Sequence, residues 1–136
     1  MESSNRVTIT GISGFLGAQL CLHFLKHGGF AVRGTVRNKT NEAKIAPLRK
    51  AFGEHFDALE LVEADLLDEK SIMAACEGSD YIVHTASPFP LENPKDEQVL
   101  IKPAVEGTLA VMKAAHATKA KKVVVTSSTA SVASGT

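Results

Sequence analysis

Three glycines, Gly11, Gly14 and Gly17, lie between an alternating β-branched run at residues 7–10 and an apolar helical pattern at residues 16–25. A strand that turns into a helix presents unpaired backbone N–H groups, and the positive end of the helix dipole, to an anion. We expect Gly11 to permit the tight turn, Gly14 to let a pyrophosphate approach the backbone, and Gly17 to let the helix pack against the strand. The spacing, G-x-x-G-x-x-G, predicts a dinucleotide-binding loop.

The same glycines could form a turn that binds no ligand, although the strand before them and the helix after them favour a dinucleotide. A P-loop is excluded because no Gly-Lys-Ser/Thr follows. A hydrolase nucleophile elbow is excluded too, because it requires G-x-S-x-G and no residue separates Ser13 from Gly14.

The stretch after the second predicted strand contains the residues expected to select the cofactor. An acidic residue there binds the ribose of NAD, whereas an arginine accommodates the 2′-phosphate of NADP. Residues 35–39 contain no carboxylate. A basic stretch of this kind is ordinarily a solvated helix face, but its position beside the expected adenosine site favours phosphate binding. We predict that Arg37 pairs with the 2′-phosphate and that Lys44 assists it. The basic residues of this predicted cationic patch are Arg33, Arg37, Lys39, Lys44, Arg49 and Lys50, against Glu42 alone.

Several further positions could serve either binding or structure. Asp65 follows the third predicted strand, where it could accept a hydrogen bond from the adenine amino group while Leu66 covers the ring; alternatively, Asp65 caps the next helix. His84 is predicted to be a satisfied core or cofactor-adjacent histidine rather than a general base. Cys21 and Cys76 are predicted to be packing residues. The remaining histidines do not cluster, so no metal site is predicted.

The elements that must position these residues alternate along the chain. Alternating strands and helices with short connections predict a parallel sheet covered by helices on both faces. We therefore predict one α/β domain over residues 1–136, a doubly wound sheet of the Rossmann type with strand order 3-2-1-4-5. The predicted strands are residues 7–10, 30–36, 59–63, 81–85 and 123–126, and the predicted helices are residues 16–25, 41–52, 69–76 and 96–119.

Three details of these elements are also predicted. The apolar density of residues 123–125 predicts a fifth strand buried on both faces. Pro47 is expected to interrupt the second helix or to mark its first turn. The last helix carries an apolar face that consists of Ile101, Val105, Leu109 and Met112.

Composition excludes several classes of protein. The 136 residues include 15 basic and 15 acidic side chains, so a nucleic-acid binder that works through a general positive field is not expected. The sequence has no apolar run long enough to span a membrane, and its N-terminus lacks the apolar core of a signal peptide. The two cysteines have neither metal-ligand spacing nor the density of a disulfide scaffold. We therefore expect a cytoplasmic protein with no membrane partner.

Six segments, in this order along the chain, resemble those of the extended short-chain dehydrogenases/reductases, the NAD-dependent epimerase/dehydratase family. The subgroup that they resemble comprises dihydroflavonol-4-reductases, cinnamoyl-CoA reductases and aldehyde/ketone reductases. The segments are residues 10–17 (TGISGFLG), 32–37 (VRGTVR), 64–66 (ADL), 84–88 (HTASP), 101–108 (IKPAVEGT) and 125–128 (VTSS).

The resemblance implies an NADP(H)-dependent oxidoreductase that acts on the carbonyl or CH–OH group of a small molecule. It implies that Ser128 is a catalytic residue, whose hydroxyl hydrogen-bonds the substrate carbonyl oxygen. In the family, the tyrosine of a Tyr-x-x-x-Lys pair donates the proton, and the lysine lowers the pKa of that phenol. Together with Gly14 and Gly17, the cofactor-binding residues implied are Gly11, Ser13, Phe15, Leu16, Arg37, Lys44, Asp65, Leu66, Thr85, Ala86 and Ser87.

The 136 residues contain no Tyr-x-x-x-Lys pair, because the only tyrosine is Tyr81 and Thr85 stands four residues after it. We therefore expect the chain to be the cofactor-binding N-terminal part of a longer reductase. The alternatives are a non-catalytic NADP(H)-binding sensor or accessory subunit, and a doubly wound domain without a ligand. Continuation of the chain into a helix with that pair would favour the enzyme. The carbonyl substrate and the oligomeric state stay open.

Overall fold

The computed structural model describes residues 5–86 and 98–126. Strands and helices alternate through this part of the chain, and a short 3₁₀ helix at Gly53–Ala58, which no sequence pattern predicted, leads into the third strand. The elements are β1 (Asn5–Thr10), α1 (Phe15–His27), β2 (Phe30–Val36), α2 (Glu42–Phe52), β3 (Glu60–Glu63), α3 (Glu69–Ala75), β4 (Tyr81–His84), α4 (Gln98–Thr118) and β5 (Lys122–Val125).

The five strands form one sheet in the order β3-β2-β1-β4-β5, and every pair of neighbours is parallel. Val7 of β1 aligns with Val32 of β2 on one side and with Tyr81 of β4 on the other. The predicted fold class and strand order are therefore confirmed. Because all strands run the same way, their carboxyl ends meet at one edge of the sheet, where ligands bind in folds of this type.

Each face of the sheet has its own hydrophobic core. On one face, Val7 and Ile9 pack with Cys21 of α1 and with Ile45 and Phe52 of α2. On the other face, the core joins β4 to α3 and α4, with Ile72, Ile82, Ala110, Val111 and Ala114 among its buried members. Successive residues of a strand point to opposite faces, so a doubly wound sheet needs both layers of helices to bury them.

The prediction that the fifth strand is buried on both faces is wrong. Val123 is half-buried, and Val124 and Val125 are 49% and 42% exposed. Among the residues that the structure describes, β5 pairs with β4 alone and forms an edge of the sheet. Apolar composition indicates that a strand prefers a buried position, but the neighbouring elements decide how much of it is covered.

The apolar face predicted for the last helix lies on the side of α4 away from the core. Its four residues are all about half exposed, whereas Ala110, Val111 and Ala114 face the sheet and are fully buried. Small side chains let the helix axis approach the sheet closely. The spacing of apolar residues therefore identified one face of α4, but it did not indicate that a different face packs against the sheet.

Pro47 neither interrupts α2 nor lies in its first turn, because the helix runs from Glu42 to Phe52 with Pro47 inside it.

Helix α1 ends at a glycine in the usual way for a helix C-terminus. Gly28 has a φ of +77°, and its N–H donates to the Phe24 carbonyl at 3.3 Å. None of the helices described in residues 5–86 and 98–126 is long and apolar enough to cross a membrane.

Candidate functional site

The glycine loop, residues 11–17, connects β1 to α1 at the carboxyl edge of the sheet and is fastened to the end of β2. The Gly11 N–H donates to Thr35 Oγ1 at 3.0 Å, and the Ile12 N–H donates to the Thr35 carbonyl at 3.0 Å. The Gly14 N–H closes the turn on the Gly11 carbonyl at 3.2 Å. Ile12 itself is fully buried and fills the space beside Gly34 of β2. Contacts within the protein therefore determine the shape of the loop.

The three glycines of the loop differ in what surrounds them. Gly11 has a φ of +72°, and a Cβ there would lie 2.7 Å from the Cα of Ala86. At Gly17 a Cβ would overlap the Gly11 carbonyl oxygen and lie 2.8 Å from Thr85 Oγ1. Among the described residues, a Cβ at Gly14 would meet only the Gly11 carbonyl oxygen, at an ordinary contact distance of 3.6 Å. The fold thus requires glycine at positions 11 and 17, whereas at position 14 no described atom would clash with a Cβ.

The N-terminus of α1 follows directly after Gly14, which is its N-cap residue. The first helical hydrogen bond joins the Ala18 N–H to the Gly14 carbonyl at 3.0 Å. The preceding N–H groups, those of Phe15, Leu16 and Gly17, lie before this first bond, in the turn where an anion binds most favourably. Ser13 is exposed, and Phe15 is 84% exposed.

Thr10, the last residue of β1, connects the glycine loop to the end of β4. Its Oγ1 accepts hydrogen bonds from the N–H groups of Thr85, at 3.0 Å, and Ala86, at 3.1 Å, and lies 2.7 Å from His84 Nδ1. In return, the Thr85 hydroxyl donates to the Thr10 carbonyl in a short hydrogen bond. The predicted cofactor residues Thr85 and Ala86 are therefore held directly against Gly11 and Gly17.

His84 is 3% exposed, which confirms the prediction of a core histidine. Burial lowers the pKa of its imidazole below the usual value, because the charged form loses its hydration. Its backbone carbonyl accepts hydrogen bonds from the N–H of Thr126, at 3.1 Å, and from the Thr126 hydroxyl, at 3.2 Å. The predicted cofactor residue Ser87 and the predicted catalytic residue Ser128 lie outside the described residues.

Arg37 and Lys44 lie at the carboxyl end of β2 and in the first half of α2, and both side chains are exposed. The turn between them is shaped by its own hydrogen bonds: Asn38 Oδ1 accepts from the Thr40 N–H at 2.9 Å. The Lys39 N–H donates to Glu63 at the end of β3, at 2.8 Å. Because β1 and β2 are neighbours in the sheet, this turn flanks the glycine loop.

The prediction that all six basic residues form one cationic patch is wrong for Arg33. Its side chain is buried, and its Nη1 donates to the carbonyls of Ala75 and Glu77 at 2.6 and 2.7 Å. Its Nε lies 3.2 Å from a carboxylate oxygen of Glu60. Residues of β2 alternate between the two faces of the sheet, and the Arg33 side chain lies on the face that packs against α3. There it stabilises the C-terminal end of that helix. Arg49, also counted in the patch, is paired with Glu42 at 3.3 Å.

Asp65 and Leu66 follow β3 at the same edge of the sheet. The Asp65 carboxylate is exposed and accepts a hydrogen bond from the Leu67 N–H at 2.9 Å. The alternative that Asp65 caps the next helix is wrong, because Asp68 is the N-cap of α3 and accepts from the Ser71 N–H. Leu66 is half-buried and packs on Gly107 of α4, where a Cβ would overlap its side chain.

Sequence reasoning missed four residues that hold the site together. Thr10 and Thr35 bind the loop and the end of β4 through their hydroxyls, and Gly34 and Gly107 make room for Ile12 and Leu66. All four belong to segments quoted for the family resemblance, but short-range spacing contains no sign of partners that are distant in sequence. Such partners become visible only when the strands are aligned.

The two cysteines are fully buried, as predicted for packing residues. Burial raises the pKa of the Cys21 thiol to about 12 and that of Cys76 to about 11. Within residues 5–86 and 98–126, no three His, Cys, Asp or Glu side chains gather as a metal site would require.

A glycine loop between the first strand and first helix of a doubly wound sheet narrows the choice of family, and the sequence profile decides it. Residues 7–136 match the NAD dependent epimerase/dehydratase family. The chain belongs to this family. The resemblance drawn from six segments of the sequence is therefore confirmed, and the epimerase/dehydratase family accounts for nearly the whole chain.

Members of the epimerase/dehydratase family that are similar to the chain include plant reductases. The chain is 41% identical over 134 residues to tetraketide alpha-pyrone reductase 1 of Arabidopsis thaliana, covering 96% of this chain and 40% of the relative. It is 38% identical over 132 residues to the bifunctional dihydroflavonol 4-reductase/flavanone 4-reductase of Malus domestica, covering 96% of this chain and 37% of the relative. The chain thus spans about 40% of the length of such relatives.

Solved structures of reductases share the fold. The structure of Gre2 from Candida albicans, a complex with NADPH, is 30% identical to the chain with a TM-score of 0.76. The match covers 93% of this chain and 38% of Gre2.

Proposed function

We propose that the chain binds NADP(H) at the glycine loop and is the cofactor-binding part of a reductase that acts on a carbonyl group of a small molecule. The observation that carries the proposal is the space beside Gly14, where a Cβ would meet no described atom closer than 3.6 Å, next to the N–H groups that precede the first helical hydrogen bond of α1. Gly14 is neither packed, as Gly11 and Gly17 are, nor in a conformation that favours glycine, because its φ is −84°. The described fold therefore gives no reason of its own for a glycine at this position. A pyrophosphate fits this space because it needs close approach and N–H donors.

The residues around the loop fit the rest of a dinucleotide. Arg37 and Lys44 are exposed cations beside the loop, and their position supports charge-assisted bonds to a 2′-phosphate. Within the described residues, only Oδ1 of Asp65 accepts a hydrogen bond, so Oδ2 is placed to accept one from an adenine amino group, and Leu66 offers an apolar surface for the ring. Thr85 is held near the loop on the side towards β4. When bound, NADPH would supply a hydride to the substrate carbonyl carbon.

The reductase part of the proposal rests on the family and on the plant relatives, whose names describe reduction of polyketide and flavonoid compounds. A carbonyl that receives hydride develops negative charge on its oxygen, and an aimed hydroxyl stabilises that charge. We assign this role to Ser128. It stands two residues after Thr126, and the Thr126 N–H donates to the His84 carbonyl at the end of β4.

Titration with NADPH and NADH at matched low salt tests the cofactor assignment. We expect NADPH to bind more tightly, because no carboxylate in residues 35–39 repels the 2′-phosphate. Arg37→Ala should weaken NADPH binding by about 1.5–3 kcal/mol and leave NADH binding nearly unchanged. Lys26→Ala removes an exposed cation from the last turn of α1, outside the predicted cationic patch, and is the matched control, with no change expected. Equal affinity for both cofactors would contradict the assignment.

The carrying observation has its own test in Gly14→Val. The larger side chain would occupy the space beside the loop, so binding of both cofactors should be lost. The same variant should remain folded, because a Cβ at position 14 meets no described atom closer than 3.6 Å and the φ of −84° suits a residue with a side chain. Unchanged binding in a folded Gly14→Val protein would show that the loop is a turn without a ligand.

A further inference from the structure

The three partners of the Thr10 hydroxyl determine which of them donates and which accepts. A hydroxyl has one proton to donate and two lone pairs that accept. Both lone pairs of Thr10 Oγ1 face backbone N–H groups, those of Thr85 at 3.0 Å and Ala86 at 3.1 Å, and these groups can only donate. The remaining proton of Thr10 must therefore point to the third partner, His84 Nδ1, at 2.7 Å.

This direction specifies the chemical form of the imidazole. If the Thr10 hydroxyl donates to Nδ1, that nitrogen carries no proton, so the ring is neutral and its proton is on Nε2. A ring with a proton on Nδ1 would present a third donor to Thr10 Oγ1, whose two lone pairs already accept from the Thr85 and Ala86 N–H groups. Burial of His84 acts in the same direction, since it lowers the pKa of the imidazole.

The hydrogen bond from Thr10 to His84 also positions Thr85 and Ala86, the two residues that lie against the glycine loop. With its proton directed at Nδ1, the Thr10 hydroxyl keeps both lone pairs aimed at the N–H groups of Thr85 and Ala86. These two residues are the ones that lie against Gly17 and Gly11, at distances where a single added carbon would clash. A Thr10 hydroxyl that lost its acceptor could turn, and the segment from residue 84 to residue 86 would no longer have one position.

We propose that His84 is a positioning residue for cofactor binding: its neutral form, with the proton on Nε2, accepts the Thr10 hydroxyl and thereby sets Thr85 and Ala86 against the glycine loop. The inference rests on the proposed function, because the loop is taken to be the NADP(H) site. His84 acts through Thr10 and needs no contact of its own with the cofactor.

The form of the imidazole is measured without a cofactor. In protein labelled with ¹⁵N in its histidine rings, the nitrogen spectrum distinguishes a protonated from an unprotonated ring nitrogen. We expect His84 to have an unprotonated Nδ1 and a protonated Nε2 in a single form. A proton on Nδ1 would overturn the inference, whether or not the protein binds NADPH.

Two variants of His84 test the positioning role. His84→Phe keeps the ring shape but removes the acceptor, so we expect the Kd for NADPH to rise about tenfold, as loss of one buried hydrogen bond does. His84→Asn places an amide oxygen near the former Nδ1 and should restore the Kd to within about twofold of the unaltered protein. Hydrogen exchange at the Thr85 and Ala86 amides should rise in the first variant and not in the second.

Thr8→Val is the matched control for a purely structural effect. Thr8 is two residues before Thr10 on β1, is fully buried, and shares a 2.6 Å hydrogen bond with Ser79 at the other end of the sheet. Its loss should lower stability without changing the Kd for NADPH. A His84→Phe protein that is folded and binds NADPH as tightly as the unaltered protein would overturn the inference. If His84→Phe does not fold, the test is His84→Asn alone. A His84→Asn protein whose Kd for NADPH is about tenfold higher than that of the unaltered protein would overturn the inference.

If the unaltered protein binds neither NADPH nor NADH, a different conclusion follows. It would contradict the proposed function, and with it the role of His84 in cofactor binding. The nitrogen spectrum and the exchange of the Thr85 and Ala86 amides would still decide whether His84 orders this segment.

Discussion

The imidazole of His84 lies in the core, where burial lowers its pKa below the usual value for histidine. On acidification the unfolded chain therefore takes up a proton at this side chain before the folded chain does. We predict that its contribution to stability is present above the usual histidine pKa and is lost as the pH falls towards the lowered pKa of the folded state. Chemical denaturation at about pH 7.5 and at about pH 5.5 measures the change in the free energy of unfolding.

The control for this pH dependence is His84→Asn, which has no titrating group at the position. The remaining histidines are present in both proteins, so their effects cancel in the comparison. The unaltered protein should lose more stability on acidification than the variant does. An equal loss in both would mean that His84 titrates alike in the folded and unfolded chains.

At the scale of elements, α1 packs on β1 through Gly17. A Cβ at this position overlaps the Gly11 carbonyl oxygen and presses on Thr85 Oγ1 at 2.8 Å, and both neighbours are held by the sheet. We predict that Gly17→Ala lowers the free energy of unfolding by about 1–3 kcal/mol, the usual cost of overpacking. Gly14→Ala is the matched change in the same loop and should alter stability little, since its Cβ meets no described atom closer than 3.6 Å.

The two glycine variants separate folding from ligand binding. Thermal or chemical unfolding of each, with and without NADPH, gives both quantities. Gly14→Ala should reduce the stabilisation that NADPH provides, because the added carbon stands where the pyrophosphate is expected. Equal loss of stability in the two variants without a cofactor would contradict the different roles assigned to Gly14 and Gly17.

At the scale of the whole molecule, the candidate site and the only tyrosine lie at opposite edges of the sheet. Tyr81 begins β4, beside the ring of Phe30, whereas the glycine loop and Thr85 follow the carboxyl ends of their strands. Tyr81 therefore cannot donate a proton to a substrate bound next to the cofactor. General acid catalysis contributes about 10²–10⁴ in rate.

We predict that the 136-residue chain binds NADPH but does not reduce aldehydes, ketones or dihydroflavonols at a useful rate. Oxidation of NADPH in the presence of a panel of these compounds measures the activity. A longer protein that contains this chain and a Tyr-x-x-x-Lys pair is the positive control. Clear turnover by the 136-residue chain, lost in Ser128→Ala, would contradict the prediction.

The order of residues along the chain was enough to predict the elements, their succession and the loop. Alternating strands and helices with short connections leave few arrangements, because crossovers between parallel strands are right-handed. Glycines at positions 11, 14 and 17 then mark the turn at the end of the first strand, since tight turns and close approaches require a residue without a side chain. These signals are local, so they could be interpreted without any knowledge of the neighbours.

Which residues meet across the sheet became known only from the three-dimensional arrangement. Arg33 looked like part of a cationic patch and is buried against the end of α3, and the valines of β5 looked buried and are half exposed. Thr10, Thr35 and His84 hold the site through partners 24 to 76 residues away. Burial and hydrogen bonding depend on which strands and helices become neighbours, and local spacing contains no information about a partner that distant.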